Sequence, residues 1–209
     1  MNSDSRARSA GQRQDLLLLA VISIPLLLVL AAFTIARNDL ERQYVVPAQE
    51  INVPAGSEAL AEGKRLARIR GCFWCHGERL EGKVYFADAT RGIILVTPNL
   101  SETIPDYTSA DFIGALRYGV RPDGTSLQPA MPSFAYYNMS DEDLGLIFAY
   151  LKSAEPVKGF TAEYRLMPLG WFRWALRRFP GNVADLIDHE LPRPDPALNG
   201  SPAERGRYL

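Results

Sequence analysis

Leu16 to Ala36 reads LLLLAVISIPLLLVLAAFTIA, 21 residues without a charge. As a helix rising about 1.5 Å per residue, the run is roughly 30 Å long, the hydrocarbon thickness of a bilayer. Lipid offers the backbone no hydrogen-bond partner, so a helix is the form such a run can take there. Pro25 falls mid-run, which membrane helices tolerate. Arg6, Arg8 and Arg13 precede the run against Asp4 and Asp15, and Arg37 and Arg42 follow it. The excess of positive charge before the run predicts a cytoplasmic N-terminus and a single pass through the inner membrane, with the rest of the chain in the periplasm. A cleaved signal peptide is the competing reading. Its apolar core runs about 7–15 residues and ends in a small-x-small site. This run is longer, and Ala32-Phe33-Thr34-Ile35-Ala36 shows no clear site of that kind.

The chain of 209 residues has room for one or two domains. A net charge of -1 gives no basic character that would point to nucleic acid. The two cysteines exclude a disulfide framework. The pattern divides the chain into a cytoplasmic tail (1–15), a transmembrane anchor (16–36), a linker (37–56) holding Pro47 and Pro54, a globular domain (57–158), an aromatic and arginine-rich connector (159–190) and a proline-rich tail (191–209). Ser57 is placed to cap a helix through Glu58, Leu60, Leu66, Ala67 and Ile69. Residues 77–108 read as loop. Residues 109–118 read as a short helix, and 120–134, with four proline or glycine breaks, as an extended loop. Ser140 opens a last helix whose first turn holds Asp141, Glu142 and Asp143, and whose apolar face is Leu144, Ile147, Phe148 and Leu151. The connector could lie on the membrane surface or against a partner subunit. The plainer reading, that it packs on its own domain, is preferred.

Both cysteines lie in Cys72-Phe73-Trp74-Cys75-His76. C-x-x-C-H is the attachment signature of c-type haem. Two thiols about one helical turn apart can each form a thioether to a porphyrin vinyl group, and the next residue then offers its imidazole to the iron. Cys72 and Cys75 are the predicted tethers of one covalent haem, and His76 is the predicted iron ligand. A zinc site needs four ligands, and only the distant His189 could complete this set. A thioredoxin-like pair follows a strand, whereas the pattern here is helical. For the sixth iron position the candidates are Met131, Met139 and Met167, with His189 as a further alternative. Met131 sits in Gln128-Pro129-Ala130-Met131-Pro132, an extended loop suited to present its sulfur, and is preferred. Met139 precedes a helix cap, where an apolar residue more often staples the helix.

With these residues in view, 57–158 resembles the class I cytochromes c. Gly63, Cys72, Cys75, His76, Thr97-Pro98-Asn99-Leu100, Ala115 to Val120, Met131-Pro132 and Leu144 to Leu151 with Tyr150 carry the resemblance. It is most similar to haem domains of membrane-bound, multi-haem cytochrome subunits that serve periplasmic dehydrogenases, and to related dihaem cytochromes. The resemblance implies a mainly α fold in which the first and last helices cross, with Gly63 permitting the approach and Tyr150 packing over it. Ala203 to Leu209 resembles the opening of a second such domain, although no second C-x-x-C-H is present.

Together these readings predict a membrane-tethered electron carrier whose partners are the membrane and redox proteins, with no nucleic acid. The alternative is a haem subunit permanently docked in a larger respiratory or photosynthetic membrane complex. A haem enzyme or gas sensor would need an open sixth position, against which Met131 argues. An apolar jacket of Phe73, Trp74, Leu95, Val96, Phe112, Leu116, Phe134 and Tyr137 is expected around the haem. The basic run Lys64, Arg65, Arg68 and Arg70 and the acidic Asp141 to Asp143 are read as solvated helix faces and capping rather than partner-steering patches.

Overall fold

The computed structural model describes residues 3–179, 181–190, 201 and 203. The first helix, α1 (Ser3–Leu40), continues the apolar run in both directions. Among the described residues it is the one helix long and apolar enough to cross a membrane, over Gln12–Leu40. The predicted tail is therefore helical from Ser3 onward. The proline-rich tail and its repeat of the domain opening lie outside the described residues apart from 201 and 203.

The globular part is mainly α. Two helices cross at its centre, α2 (Ser57–Ile69) and α6 (Asp141–Lys152). Leu66 and Ala67 of α2 meet Leu144, Ile147, Phe148 and Leu151 of α6 in one buried core. Gly63 marks the closest approach: a Cβ there would lie 2.0 Å from the Leu146 carbonyl oxygen and 2.9 Å from the Tyr150 Cβ. This is the packing that the resemblance implied. The third core helix, α5 (Ser109–Tyr118), stacks Phe112 on Phe148 at 4.7 Å. Its N-terminus is closed by a capping box in which the Thr108 side chain and the Asp111 carboxylate each accept from the other's backbone N–H. Ser140 caps α6, accepting from the Asp143 N–H, as its sequence predicted.

Ser57 is not the cap expected of it. Gly56 takes the N-cap position, and Ser57 is already helical with no capping bond. The expectation of loop over 77–108 is also wrong. β1 (Lys83–Asp88) and β2 (Ile93–Thr97) form an antiparallel hairpin, followed by a one-turn helix, α4 (Leu100–Thr103). The hairpin gains a third strand, β3 (Glu163–Leu166), which pairs with β2 in the order β1-β2-β3. Two short strands are marginal alone and become stable when a third covers the open edge. Here the third comes from about 70 residues downstream, a contact that no local pattern announces.

The connector packs on its own chain. β3 completes the sheet, and α7 (Pro168–Ala175) lies along the C-terminal end of α1. Trp174 is buried against Ala36 and Leu166, and its Nε1 donates to Asp39 Oδ2 at 2.8 Å. The stretch read as a linker is strapped to the domain. Tyr44 N–H donates to the Gly124 carbonyl at 2.9 Å, and the Tyr44 hydroxyl meets Asp185 at 3.0 Å. Gln49 accepts from Arg117 and donates to Asp141. The Asn52 carbonyl lies so close to Gly145 that a Cβ there would be 2.2 Å from its oxygen. The stretch thus lies along the domain, fastened at Tyr44, Gln49 and Asn52.

Candidate haem-binding site

The five residues Cys72–His76 form a single helical turn, α3. Gly71, at φ +85°, turns the chain out of α2 so that α3 starts in a new direction. The turn places both cysteines on its ends and seats His76 in the interior, where it is 8% exposed. The His76 Nδ1 lies 3.0 Å from the Pro98 carbonyl oxygen. A carbonyl can only accept, so Nδ1 carries a proton and Nε2 is left with its lone pair free. Burial lowers the pKa of His76, and the Pro98 bond only partly offsets this. The imidazole is therefore neutral at pH 7, the form that ligates a metal.

The residues that aim this ring come from the hairpin's end. Pro98 follows β2 directly. Thr97 donates its hydroxyl to the Cys75 carbonyl at 2.8 Å and accepts from the Lys83 N–H at 3.0 Å. Gly82 N–H donates to the His76 carbonyl at 2.7 Å, and Leu100 N–H to the Leu80 carbonyl at 2.8 Å. One short hairpin thus holds α3 from below at several points. Sequence reasoning placed Thr97-Pro98-Asn99 within a loop and missed these roles, because each joins a side chain to a backbone carbonyl 22 residues away.

Burial raises the Cys72 thiol to about 11 and also raises that of Cys75. Neither cysteine is a thiolate at neutral pH, which is unlike the low-pKa pair of a thioredoxin-type site. His189, the only other histidine, is held elsewhere: its Nε2 is 2.9 Å from the Ala184 carbonyl oxygen, and its ring leans on Tyr118 at 5.4 Å. The zinc alternative therefore lacks its fourth ligand.

The three methionines separate by environment. Met139 is 3% exposed within the core, and its carbonyl accepts from buried Arg117 at 2.7 Å. Met167 is the N-cap of α7, with its N–H on the Gly92 carbonyl. Met131 is partly exposed and borders the same core cluster as Cys72. Its loop is braced on both sides. Met131 N–H donates to Gln128, and Ser133 donates its hydroxyl to the Ala115 carbonyl of α5 at 2.9 Å. Just beyond, the buried Tyr136 donates its hydroxyl to the Arg70 carbonyl at 2.7 Å, tying the methionine segment to the start of the Cys-His turn. Of the expected jacket, Phe73, Leu95, Val96, Phe112, Leu116 and Tyr137 are buried, whereas Trp74 and Phe134 are exposed on the protein chain.

These residues fit a covalently held haem. Two thiols at i and i+3 precede a neutral imidazole with one nitrogen committed to the protein and the other free, beside an apolar core bordered by a thioether.

A helical turn of this kind, buttressed by a hairpin and enclosed by crossing helices, defines a c-type haem-binding domain. Residues 60–155 match the family described as cytochrome c, so the chain carries a cytochrome c electron-transfer domain, which implies covalent haem c. The chain is 33% identical over 165 residues to the gluconate 2-dehydrogenase cytochrome c subunit of Pantoea cypripedii, covering 74% of this chain and 36% of that protein. It is 28% identical over 165 residues to the cytochrome c subunit of the quinone alcohol dehydrogenase of Gluconobacter oxydans strain 621H, covering 74% of this chain and 33% of that protein. It is 33% identical over 128 residues to the fructose dehydrogenase cytochrome subunit of Gluconobacter japonicus, covering 57% of this chain and 26% of that protein. The chain thus spans about a third of the length of these curated relatives or less.

Proposed function

We propose that this protein is a membrane-tethered, periplasmic electron carrier with one covalent haem, ligated by His76 and Met131. The observation that carries the reading is the His76 Nδ1 to Pro98 carbonyl contact at 3.0 Å inside the C-x-x-C-H turn. It orients the ring, sets its tautomer and leaves Nε2 as a ligand. Bound haem c supplies reversible one-electron chemistry. Cys72 and Cys75 would hold it through thioethers, and His76 and Met131 would hold its iron. With His76 and Met131 both holding the iron, no site would be left for oxygen or substrate, and outer-sphere transfer would be the remaining chemistry. The buried Phe73, Phe112, Leu116 and Tyr137 would keep water from the group, which would disfavour the extra charge of ferric iron and raise the potential.

The oxidised visible spectrum tests this assignment. Wild type is expected to show the weak methionine-sulfur-to-iron band at the red edge, and Met131→Ala to lose it. Wild type without the band, binding carbon monoxide readily when reduced, would refute the Met131 assignment and favour a catalytic or sensing haem.

A second reading, a haem subunit docked permanently in a larger dehydrogenase complex, is favoured by the strap. A swinging carrier needs a free tether, whereas residues 43–52 are bound to the domain at Gly124, Arg117 and Gly145. Purification in mild detergent separates the two: a docked subunit brings stoichiometric partners with it, and a free carrier does not.

A further inference from the structure

We propose that α7 and the turn after it form a collar seated in the interfacial layer of the bilayer, with its uncharged end at the hydrocarbon boundary and its arginine end among anionic headgroups. The proposal rests on α1 spanning the membrane.

The sequence of the collar is graded. Residues 167–172 (Met-Pro-Leu-Gly-Trp-Phe) carry no charge, and 173–178 contain Arg173, Arg177 and Arg178. The structure aligns this gradient with α1. At the uncharged end, the Trp171 ring meets Phe33 edge-on at 4.9 Å, and Phe33 lies inside the apolar run. At the basic end, Trp174 Nε1 reaches Asp39 at 2.8 Å and Arg177 reaches the same carboxylate at 3.4 Å. Phe33 and Asp39 are six residues apart, about 9 Å along a helix. The polar layer on each side of a bilayer is roughly 5–8 Å deep, from a core of about 30 Å within about 40–45 Å overall. The collar is therefore long enough to cross that layer once, and each end has the chemistry of its depth.

Packing against α1 explains the buried Trp174, and packing against the β1–β2 hairpin tip explains the buried Gly170. It does not explain the outward side. Leu169 is 47% exposed at the uncharged end, and Arg177 and Arg178 are exposed at the basic end. A soluble surface tolerates a single exposed leucine, but it does not call for both Leu169 and Leu176, the latter 68% exposed, in one short stretch beside a membrane span. A lipid interface does: tryptophan belongs at that level, and arginine adds attraction to anionic lipid. The tip of the β1–β2 hairpin joins the collar, because a Cβ on Gly170 would lie 2.1 Å from the Gly92 carbonyl oxygen. Together with the strap, the collar would hold the haem domain at one height above the membrane.

The test uses the full haem-loaded chain in vesicles. Cys72 and Cys75 are then consumed as thioethers, so an introduced cysteine is the single labelling site. An environment-sensitive fluorophore is placed at Leu169→Cys and, separately, at Leu26→Cys in mid-span. Depth is read from the emission shift and from quenching by quenchers attached to lipid. Both labels are expected to be blue-shifted, with Leu26 quenched from the bilayer centre and Leu169 from the headgroup level. Arg173→Glu with Arg178→Glu is expected to reduce the Leu169 shift in phosphatidylglycerol-containing vesicles and to leave it unchanged in phosphatidylcholine alone. A Leu169 label in water while Leu26 is in hydrocarbon overturns the collar and leaves the membrane reading intact. A Leu26 label in water overturns both. A lipid-facing Leu169 that ignores the charge reversal overturns the role given to anionic lipid.

Discussion

Gly63→Ala tests the central packing of the domain, because two effects of the substitution have opposite signs. Alanine is the better helix former, by about 1 kcal/mol in a helix interior. On propensity alone the variant would be more stable. The structure sets a steric term against this. The new Cβ would lie 2.0 Å from the Leu146 carbonyl oxygen, 2.7 Å from its carbon and 2.9 Å from the Tyr150 Cβ, where ordinary contact begins at 3.4 Å. The shortfall is 3.4 − 2.0, or about 1.4 Å, and two of the three obstructing atoms are backbone. No rotamer change relieves it, so α2 and α6 must separate. Overpacking of this kind costs about 1–3 kcal/mol, and a rigid backbone clash belongs at or beyond the upper end. The expected net loss is about 2 kcal/mol after the propensity gain. For a domain of this size that lowers Tm by about 8–16 °C. The assay is thermal unfolding of the haem-loaded chain in detergent, followed by haem absorbance and circular dichroism. Gly114→Ala serves as the comparison, since a Cβ there would meet Val120 oxygen at an acceptable 3.4 Å. It is expected to leave Tm unchanged or raise it. A Gly63→Ala protein as stable as wild type would refute the close crossing of α2 and α6.

Thr97→Val keeps the shape of the side chain and removes the hydroxyl that bonds Cys75 and Lys83. It should cost about 1–2 kcal/mol in denaturant unfolding, since both partners lose a bond. Arg117 is 0% exposed and is answered by Gln49, the Met139 carbonyl and Asp141. Arg117→Ala should cost about 3 kcal/mol or more by leaving a cavity and stranding the Met139 carbonyl, and Asp141→Asn should cost less because Asp141 is half exposed. Tyr136 and Tyr164 have pKa values raised by burial. Their folded values exceed the unfolded one of about 10, so their contribution is fully present below that pH and is lost as pH rises above it. Unfolding free energy should therefore be flat toward pH 10 and fall beyond. Tyr136→Phe should soften that fall while losing about 1 kcal/mol with the bond to Arg70.

The sequence alone determined the parts whose physics is local. An uncharged run of 21 residues is a helix in any environment that accepts it, and the structure extends it as one helix. C-x-x-C-H states its chemistry through spacing along one turn. Ser140 and the apolar period of α6 needed only their neighbours, and both appear as read. Met131 was singled out by its prolines, and Met139 was set aside as a helix staple; the structure buries it in the core.

What the tertiary structure decided is where distant segments meet. Residues 77–108 carry too little alternation to announce strands, and they form a sheet because β3 arrives from 163–166 to cover the edge of β2. Ser57 has the right side chain for a cap, yet Gly56 reaches the N-cap backbone at φ +102° and takes the position. The stretch 41–56 has the composition of a free linker. It is a strap because the folded domain brings Gly124, Arg117 and Gly145, from separate parts of the chain, alongside it. The same holds at the haem-binding turn. The residues that ligate are written side by side in the chain. The carbonyl that orients the histidine is a backbone atom of Pro98, and a backbone acceptor leaves no mark in the side-chain pattern.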